Sequence, residues 1–119
     1  MKIKELTIDS FQQKVANLNN DPSIWDYFGD KPCIVVFYTD WCSPCKSLIS
    51  RLSEIAETYD DLFYIYKVNI AKEKRIAANL NIRTVPSMLY CPMNQEPQTA
   101  FGLVPREKIV EIIEDVLLV

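Results

Sequence analysis

From Cys33 to Tyr38 the chain reads CIVVFY, an unbroken run of apolar, β-branched and aromatic positions with no charge among them. A strand with one face in water alternates apolar and polar residues, whereas a continuous run belongs to a strand covered on both faces. This segment is the expected central strand. Beyond it the period changes to that of a helix. Pro44 suits a first helical turn, and Leu48, Ile49, Leu52, Ile55, Ala56 and Tyr59 then recur along one helix face. Between the two lies 39-TDWCSPCK-46, a pair of cysteines placed where a buried strand turns into a long helix.

The remaining pattern surrounds that unit. FYIYKVN, from Phe63 to Asn69, reads as a strand, and a mostly polar helix follows from about Lys72 to Leu80 with Ile76 and Leu80 facing inward. Strand, helix, strand in that order implies a parallel pair joined by a crossover. After 83-RTVP-86 come two short runs, Ser87 to Cys91 and Gln98 to Phe101. Joined by 92-PMNQEP-97, with a proline at each shoulder, they read as an antiparallel hairpin. The chain closes with a helix over Pro105 to Leu117. Its apolar stripe, Ile109, Ile112, Ile113, Val116 and Leu117, opposes Glu107, Lys108, Glu111, Glu114 and Asp115. At the front, KIKELT reads as a short strand and Ser10 to Asn17 as a short helix. The order is βαβαβ and then ββα, with the polar helix between, so the fold class is α/β with a mixed sheet.

A chain of 119 residues has the length of one domain, here residues 1–119, and buries about two thirds of its unfolded surface around a single core. About half apolar and a quarter charged, it has the composition of a globular protein that needs no disulfide framework. A net charge of −3 offers no basic footprint for phosphates, which argues against nucleic acid as a partner. The opening MKIKELTIDSFQQKVA lacks the continuous apolar core of a signal peptide, and no later stretch approaches the ~18 apolar residues of a membrane span. A cytoplasmic location without membrane attachment is expected, and the few, unevenly spaced cysteines agree with a reducing compartment.

Three readings of Cys42 and Cys45 compete: a redox couple, half of a zinc site, and an incidental crosslink. Three residues along a helix separate Cα atoms by about 5 Å, inside the ~4.4 to 6.8 Å window of a disulfide. Cys42 falls at or just before the first helical residue, where unpaired N–H groups and the positive end of the helix dipole favour its thiolate. Lowering a thiol pKa from ~8.5 to ~7 takes about 2 kcal/mol, close to the most that a partly buried helix terminus supplies. Cys45, a turn further in, is the more shielded thiol and is expected to stay protonated. A zinc site needs two more ligands, but the chain has no histidine, and Cys33 and Cys91 stand alone on apparent strands, so the redox couple is favoured. The lack of histidine also removes a Cys-His nucleophile of the protease kind. With Gly29 and Gly102 as its only glycines the chain has no phosphate loop. Neither a metal nor a bound cofactor is expected.

With these residues in view the chain resembles the thioredoxin family over nearly its whole length. The resemblance rests on the element order, on Trp41-Cys42-Ser43-Pro44-Cys45-Lys46 at the strand-to-helix turn, on Val85-Pro86 some forty residues later, and on Gly102 before the last helix. It implies a thioredoxin fold, a central mixed β-sheet flanked by helices on both faces, and the activity of a protein-disulfide reductase. By the same resemblance Cys42 is the attacking nucleophile, Cys45 the resolving thiol, and the two close as a redox-active disulfide. Pro86 is implied to be a cis-proline, and Trp41, Val85, Pro86 and Gly102 the rim of a groove that receives a substrate polypeptide. Trp41 is expected to anchor packing while it shields the thiolate. Disulfide-containing proteins are the implied substrates and a flavin-containing thioredoxin reductase the implied electron donor.

Two positions depart from the family's pattern. Ser43, beside Pro44 in the dipeptide that tunes the reduction potential, stands where glycine is commonest, and ~30 mV there corresponds to ~1.4 kcal/mol of disulfide stability. The family's buried aspartate, a proton acceptor for the resolving thiol, falls on Val36, while its lysine neighbour is retained as Lys67, whose ordinary reading is a snorkelling side chain. The segment 17-NLNNDPSIWDYFGDKP-32 is long for this family, and its Trp25, Tyr27 and Phe28 are expected to cover the core. Cys33 and Cys91 are expected to be small buried apolar residues. Two rivals stay open: a specialised envelope thiol reductase or oxidase, because direction depends on potential and compartment, and a redox-inert module of the same fold that only binds a partner.

Overall fold

The central strand β2, Cys33–Tyr38, pairs along its whole length with a neighbour on each side. In the computed structural model, which describes residues 3–19 and 24–119, five strands form one mixed sheet in the order β1-β3-β2-β4-β5. β1 (Lys4–Glu5), β3 (Tyr64–Asn69) and β2 run parallel, while β4 (Ser87–Cys91) and β5 (Gln98–Phe101) continue antiparallel. The pleat sends alternate residues of β2 to opposite faces. Cys33, Val35 and Phe37 enter a cluster with Phe11 of α1 (Ile8–Lys14) and Ile76 and Ala77 of α3 (Lys74–Asn79). Ile34 and Val36 enter a second cluster with Leu48, Leu52 and Ile55 of α2 (Ser43–Ala56) and Ile109 of α4 (Arg106–Ile112). Helices thus cover both faces, as the continuous apolar run requires.

The element boundaries depart from expectation in places that have physical causes. The first helix begins at Ile8 rather than Ser10, because Thr7 is its cap. Thr7 Oγ1 accepts the Ser10 N–H at 3.4 Å and Ser10 Oγ accepts the Thr7 N–H at 2.9 Å, a reciprocal capping box that satisfies two otherwise orphaned donors. The same helix stops at Lys14 and not at Asn17. Of KIKELT only Lys4 and Glu5 form ladder pairs; Lys2 lies outside the described residues. Tyr59 lies beyond the end of α2, where Asp60 and Asp61 adopt positive φ, yet its ring still meets Phe63 with centroids 5.4 Å apart. The last helix widens after α4 into a π-helical stretch, Ile113–Leu117, in which the Leu118 N–H reaches back to the Ile113 carbonyl. Ile109, Ile113 and Leu117, each four apart, are buried there, while Ile112 and Val116 are only half-buried at the margin of the stripe.

The segment before β2 covers the α1 side of the sheet, although residues 20–23 lie outside the described residues. Trp25 and Tyr27 pack against the first cluster as expected, whereas Phe28, 45% exposed, does not. The reason is local: the Phe28 N–H is tied to the Val15 carbonyl, and the Tyr27 hydroxyl donates to the Lys31 carbonyl, so only one of two adjacent rings can face inward. A Cβ at position 29 would run into the Tyr27 ring and hydroxyl, which is why glycine stands there. Cys33 and Cys91 are buried free thiols opposite one another across β2 and β4, and the Cys91 thiol is pushed up by its hydrogen bond with Cys33 and by burial.

The capping box makes Thr7 a stability determinant remote from any chemistry. Thr7→Ala removes the side-chain acceptor, and a loss of about 1 kcal/mol is expected, read as a lower denaturant midpoint with an unchanged slope.

Candidate active site

The last residues of β2 deliver the chain to the start of α2, and that handover builds the site. Cys42 is the N-cap of α2, with φ −96° and ψ 102°, and its sulfur accepts the Cys45 N–H at 3.2 Å. Ser43 and Pro44 occupy the first helical positions, where a missing proline N–H costs nothing. Behind the cap, the Cys42 N–H reaches the Thr39 carbonyl at 3.4 Å and the Lys46 N–H reaches the Cys42 carbonyl at 3.3 Å. Cys42 and Cys45 are joined as a disulfide with their Cα atoms 5.3 Å apart. Cys42 keeps 9% of its surface exposed and Cys45 none.

Strand register brings the other expected residues to the same end of the sheet. Ser87 pairs with Phe37 on one side and Phe101 on the other, so Pro86 and Gly102 lie next to the end of β2 from which the chain enters the cysteine turn. The Val85-Pro86 peptide bond is cis, and the Pro86 carbonyl accepts the Gly102 N–H at 2.9 Å. Gly102 has φ +80°, a conformation that side chains disfavour, and an added Cβ would meet no atom within 4 Å. Backbone conformation, rather than crowding inside the chain, accounts for the glycine. Trp41 is 76% exposed and therefore anchors no packing, contrary to expectation. As the residue before the N-cap it stands outside both core clusters.

Val36 is fully buried, and across the ladder it pairs with Lys67. The lysine does not turn inward. Its Nζ lies 3.9 Å from Glu5 Oε1 and 5.5 Å from the centre of the Tyr38 ring, while the Tyr38 hydroxyl donates to the Glu5 carboxylate at 2.6 Å. Partial burial and that bond to Glu5 both push the Tyr38 phenol up, so it stays a donor. Glu5 and Tyr38 were not identifiable as neighbours of Lys67 from the sequence, because the register of a two-residue edge strand is set only by tertiary packing. Among the described residues no group of three or more acidic, cysteine or histidine side chains is arranged to hold a metal.

A disulfide at a helix N-cap, fed by a buried strand and flanked by a cis-proline, defines a dithiol-disulfide oxidoreductase. Comparison with known proteins agrees. The family model for thioredoxin matches residues 2–115. A thioredoxin of Borreliella burgdorferi is 32% identical over 92% of this chain and 93% of its own length. A chloroplastic M-type thioredoxin of Spinacia oleracea is 32% identical over 88% of this chain and 59% of its own length. The crystal structure of chloroplastic thioredoxin z superposes with a TM-score of 0.78 at 22% identity, covering 96% of this chain and 93% of that one, which shows a shared fold. The chain belongs to the thioredoxin family.

The unequal burial of the four cysteines has a direct readout. Alkylation of the reduced protein at neutral pH is expected to label Cys42 well before Cys45, Cys33 or Cys91, measured by peptide mass mapping over time. Equal labelling of Cys42 and Cys45 would contradict the asymmetry.

Proposed function

We propose that this chain, acting as one domain over residues 1–119, reduces disulfides in polypeptide substrates, with Cys42 as the attacking nucleophile and Cys45 as the resolving thiol. The carrying observation is the inequality of the two sulfurs. Cys42 sits at the positive end of α2, accepts a backbone N–H and touches solvent, while Cys45 is sealed a turn inside. An N–H aimed at a sulfur stabilises its anion more than its neutral form, so Cys42 is the thiolate of the reduced pair.

The chemistry then runs in two balanced steps. The Cys42 thiolate attacks one sulfur of a substrate disulfide, a mixed disulfide forms, and the other substrate sulfur leaves as a thiolate. Cys45 gives up its proton and attacks the Cys42 sulfur, closing the Cys42–Cys45 disulfide and expelling the second substrate sulfur. The substrate has gained two electrons and, from solvent, two protons. Trp41, Val85, Pro86 and Gly102 form the rim, where the bare backbone at Gly102 admits a substrate chain. Ser43 and Pro44 tune the potential, and Lys67 acts on it through its charge. A flavin-containing thioredoxin reductase restores the dithiol, as in the wider family. A cytoplasmic setting fits the two buried free thiols, and among the described residues no helix is long and apolar enough to cross a membrane.

Trapping tests the roles. In Cys45→Ser the mixed disulfide at Cys42 has no internal thiol to resolve it, so covalent complexes with substrate proteins accumulate on non-reducing gels. Cys42→Ser traps none. If both variants trap alike, Cys42 is not the entry nucleophile.

A further inference from the structure

Cys33 and Cys91, buried free thiols, take no part in the chemistry of Cys42 and Cys45, yet strand register sets them directly opposite one another. The Tyr64 N–H on the Pro32 carbonyl and the Ile70 N–H on the Tyr38 carbonyl turn the even-numbered positions along β2 toward β3. Cys33 therefore faces β4, and with Cys91 it forms a hydrogen-bonded pair of the antiparallel ladder, whose Cα atoms stand ~5.5 Å apart. That separation lies inside the ~4.4 to 6.8 Å window of a disulfide, while the ~4.5 to 5.5 Å between the Cβ atoms of such a pair must close to ~3.5 to 4.5 Å. A bond that draws two strands together by about 1 Å is easily reduced, so the pair suits a reversible link and not a permanent staple.

The segment before β2 closes the pair off. From Ile24 to Pro32 this strap has neither helix nor strand. Its Tyr27 packs against the cluster that holds both cysteines, with the hydroxyl within reach of the Cys33 thiol. Tyr27 also lines a cavity of about 490 Å³, partly open to solvent, between the strap and residues Met93 to Glu96 of the β4–β5 turn. It thus borders solvent and thiols at once. The Tyr27 hydroxyl is latched to the Lys31 carbonyl at 2.5 Å, and the Phe28 N–H is held by the Val15 carbonyl at 3.0 Å. A segment fixed by a few such bonds opens at far lower cost than the sheet beneath it. While it is closed, the thiols do not touch solvent, and the Cys33 hydrogen bond and burial hold the Cys91 thiol up, so the pair is inert.

We propose that Cys33 and Cys91 are a second redox site, which closes as a cross-strand disulfide when the strap lifts and admits a hydroperoxide. In the open state one thiolate attacks an oxygen of hydrogen peroxide and the O–O bond breaks. A sulfenic acid forms, and the hydroxide that leaves takes up the thiol's proton as water. The second thiol attacks that sulfur, the S–S bond forms, and the sulfenic oxygen leaves as another water. The two thiols have lost two electrons and two protons, and the peroxide has become two waters. The site lies at the opposite end of β2 from the cysteine turn and requires no role for Cys42 or Cys45.

With Cys42 and Cys45 joined, Cys33 and Cys91 are the free thiols, so the unmodified chain reports on itself. After hydrogen peroxide, alkylation in denaturant and peptide mapping are expected to show loss of both free thiols and a linked Cys33–Cys91 peptide pair, reversed by a reducing agent. The rate of that loss is expected to rise with urea at less than about half the slope of global unfolding, because opening exposes a strap and not the core. Tyr27→Phe, which removes the latch, is expected to raise the rate about fivefold at an unchanged slope. Should Tyr27→Phe fail to fold, the slope measured on the unmodified chain decides. Thiols still free after the treatment, a sulfinic acid in place of a link, bonds between two chains, oxidation at the full unfolding slope, or an unchanged rate in folded Tyr27→Phe would each overturn the proposal.

Discussion

The structure depends on one constraint: β2 is buried on both faces, so every residue from Cys33 to Phe37 must be apolar and the chain can turn only where the strand ends. Each such side chain contributes about 1.5–3 kcal/mol relative to exposure, which makes slippage of this strand prohibitive. Because Leu48, Leu52 and Ile55 must meet Ile34 and Val36 on one face, the first turn of α2 is held at the end of β2. The unpaired N–H groups of that turn then fall on whatever residue caps it. Here the cap is a cysteine, and a structural requirement shared by every helix, satisfaction of its first donors, is met by the Cys42 sulfur, which accepts the Cys45 N–H.

The parts of the fold readable in the sequence are those where one period dominates. CIVVFY and the two runs of the hairpin appear at their expected places, and the α2 stripe does so from Leu48 to Ala56, since each buries a face too extensive to be misplaced. The first helix was displaced because its start is decided by a threonine and a serine bonding each other's backbone, whereas the helix signal otherwise read from apolar spacing is weak in seven residues. Phe28 and Trp41 illustrate a second limit. Aromatic character says that a ring gains from burial, but not which of two neighbouring rings the backbone can turn inward, nor that a ring beside a cap has no core to enter.

At the site, the positive φ of Gly102 was not read, whereas the cysteine pair was legible from its spacing at a strand-to-helix turn and the cis bond at Val85-Pro86 through the family resemblance. The environment of Lys67 was not. Its partners come from β1 and from the end of β2, which sheet order alone brings to either side of β3, and a charge at the margin of a sheet finds different partners with each register.

That environment explains how the central strand can do without an acid. A carboxylate at position 36 would sit among Leu48, Leu52 and Met88, and an imperfectly paired buried charge costs several kcal/mol, whereas valine there contributes about 2 kcal/mol of favourable burial. The cation that would compensate such an acid is instead held outward by Glu5 and over the Tyr38 ring, at the lip of the cavity beside Cys45. Charge thus lies at the flank of the disulfide, where solvation is inexpensive. The core gains a uniformly apolar strand, and the charged side chains beside Cys45, those of Asp40, Lys46 and Lys67, are left to the cavity wall, where water can solvate them.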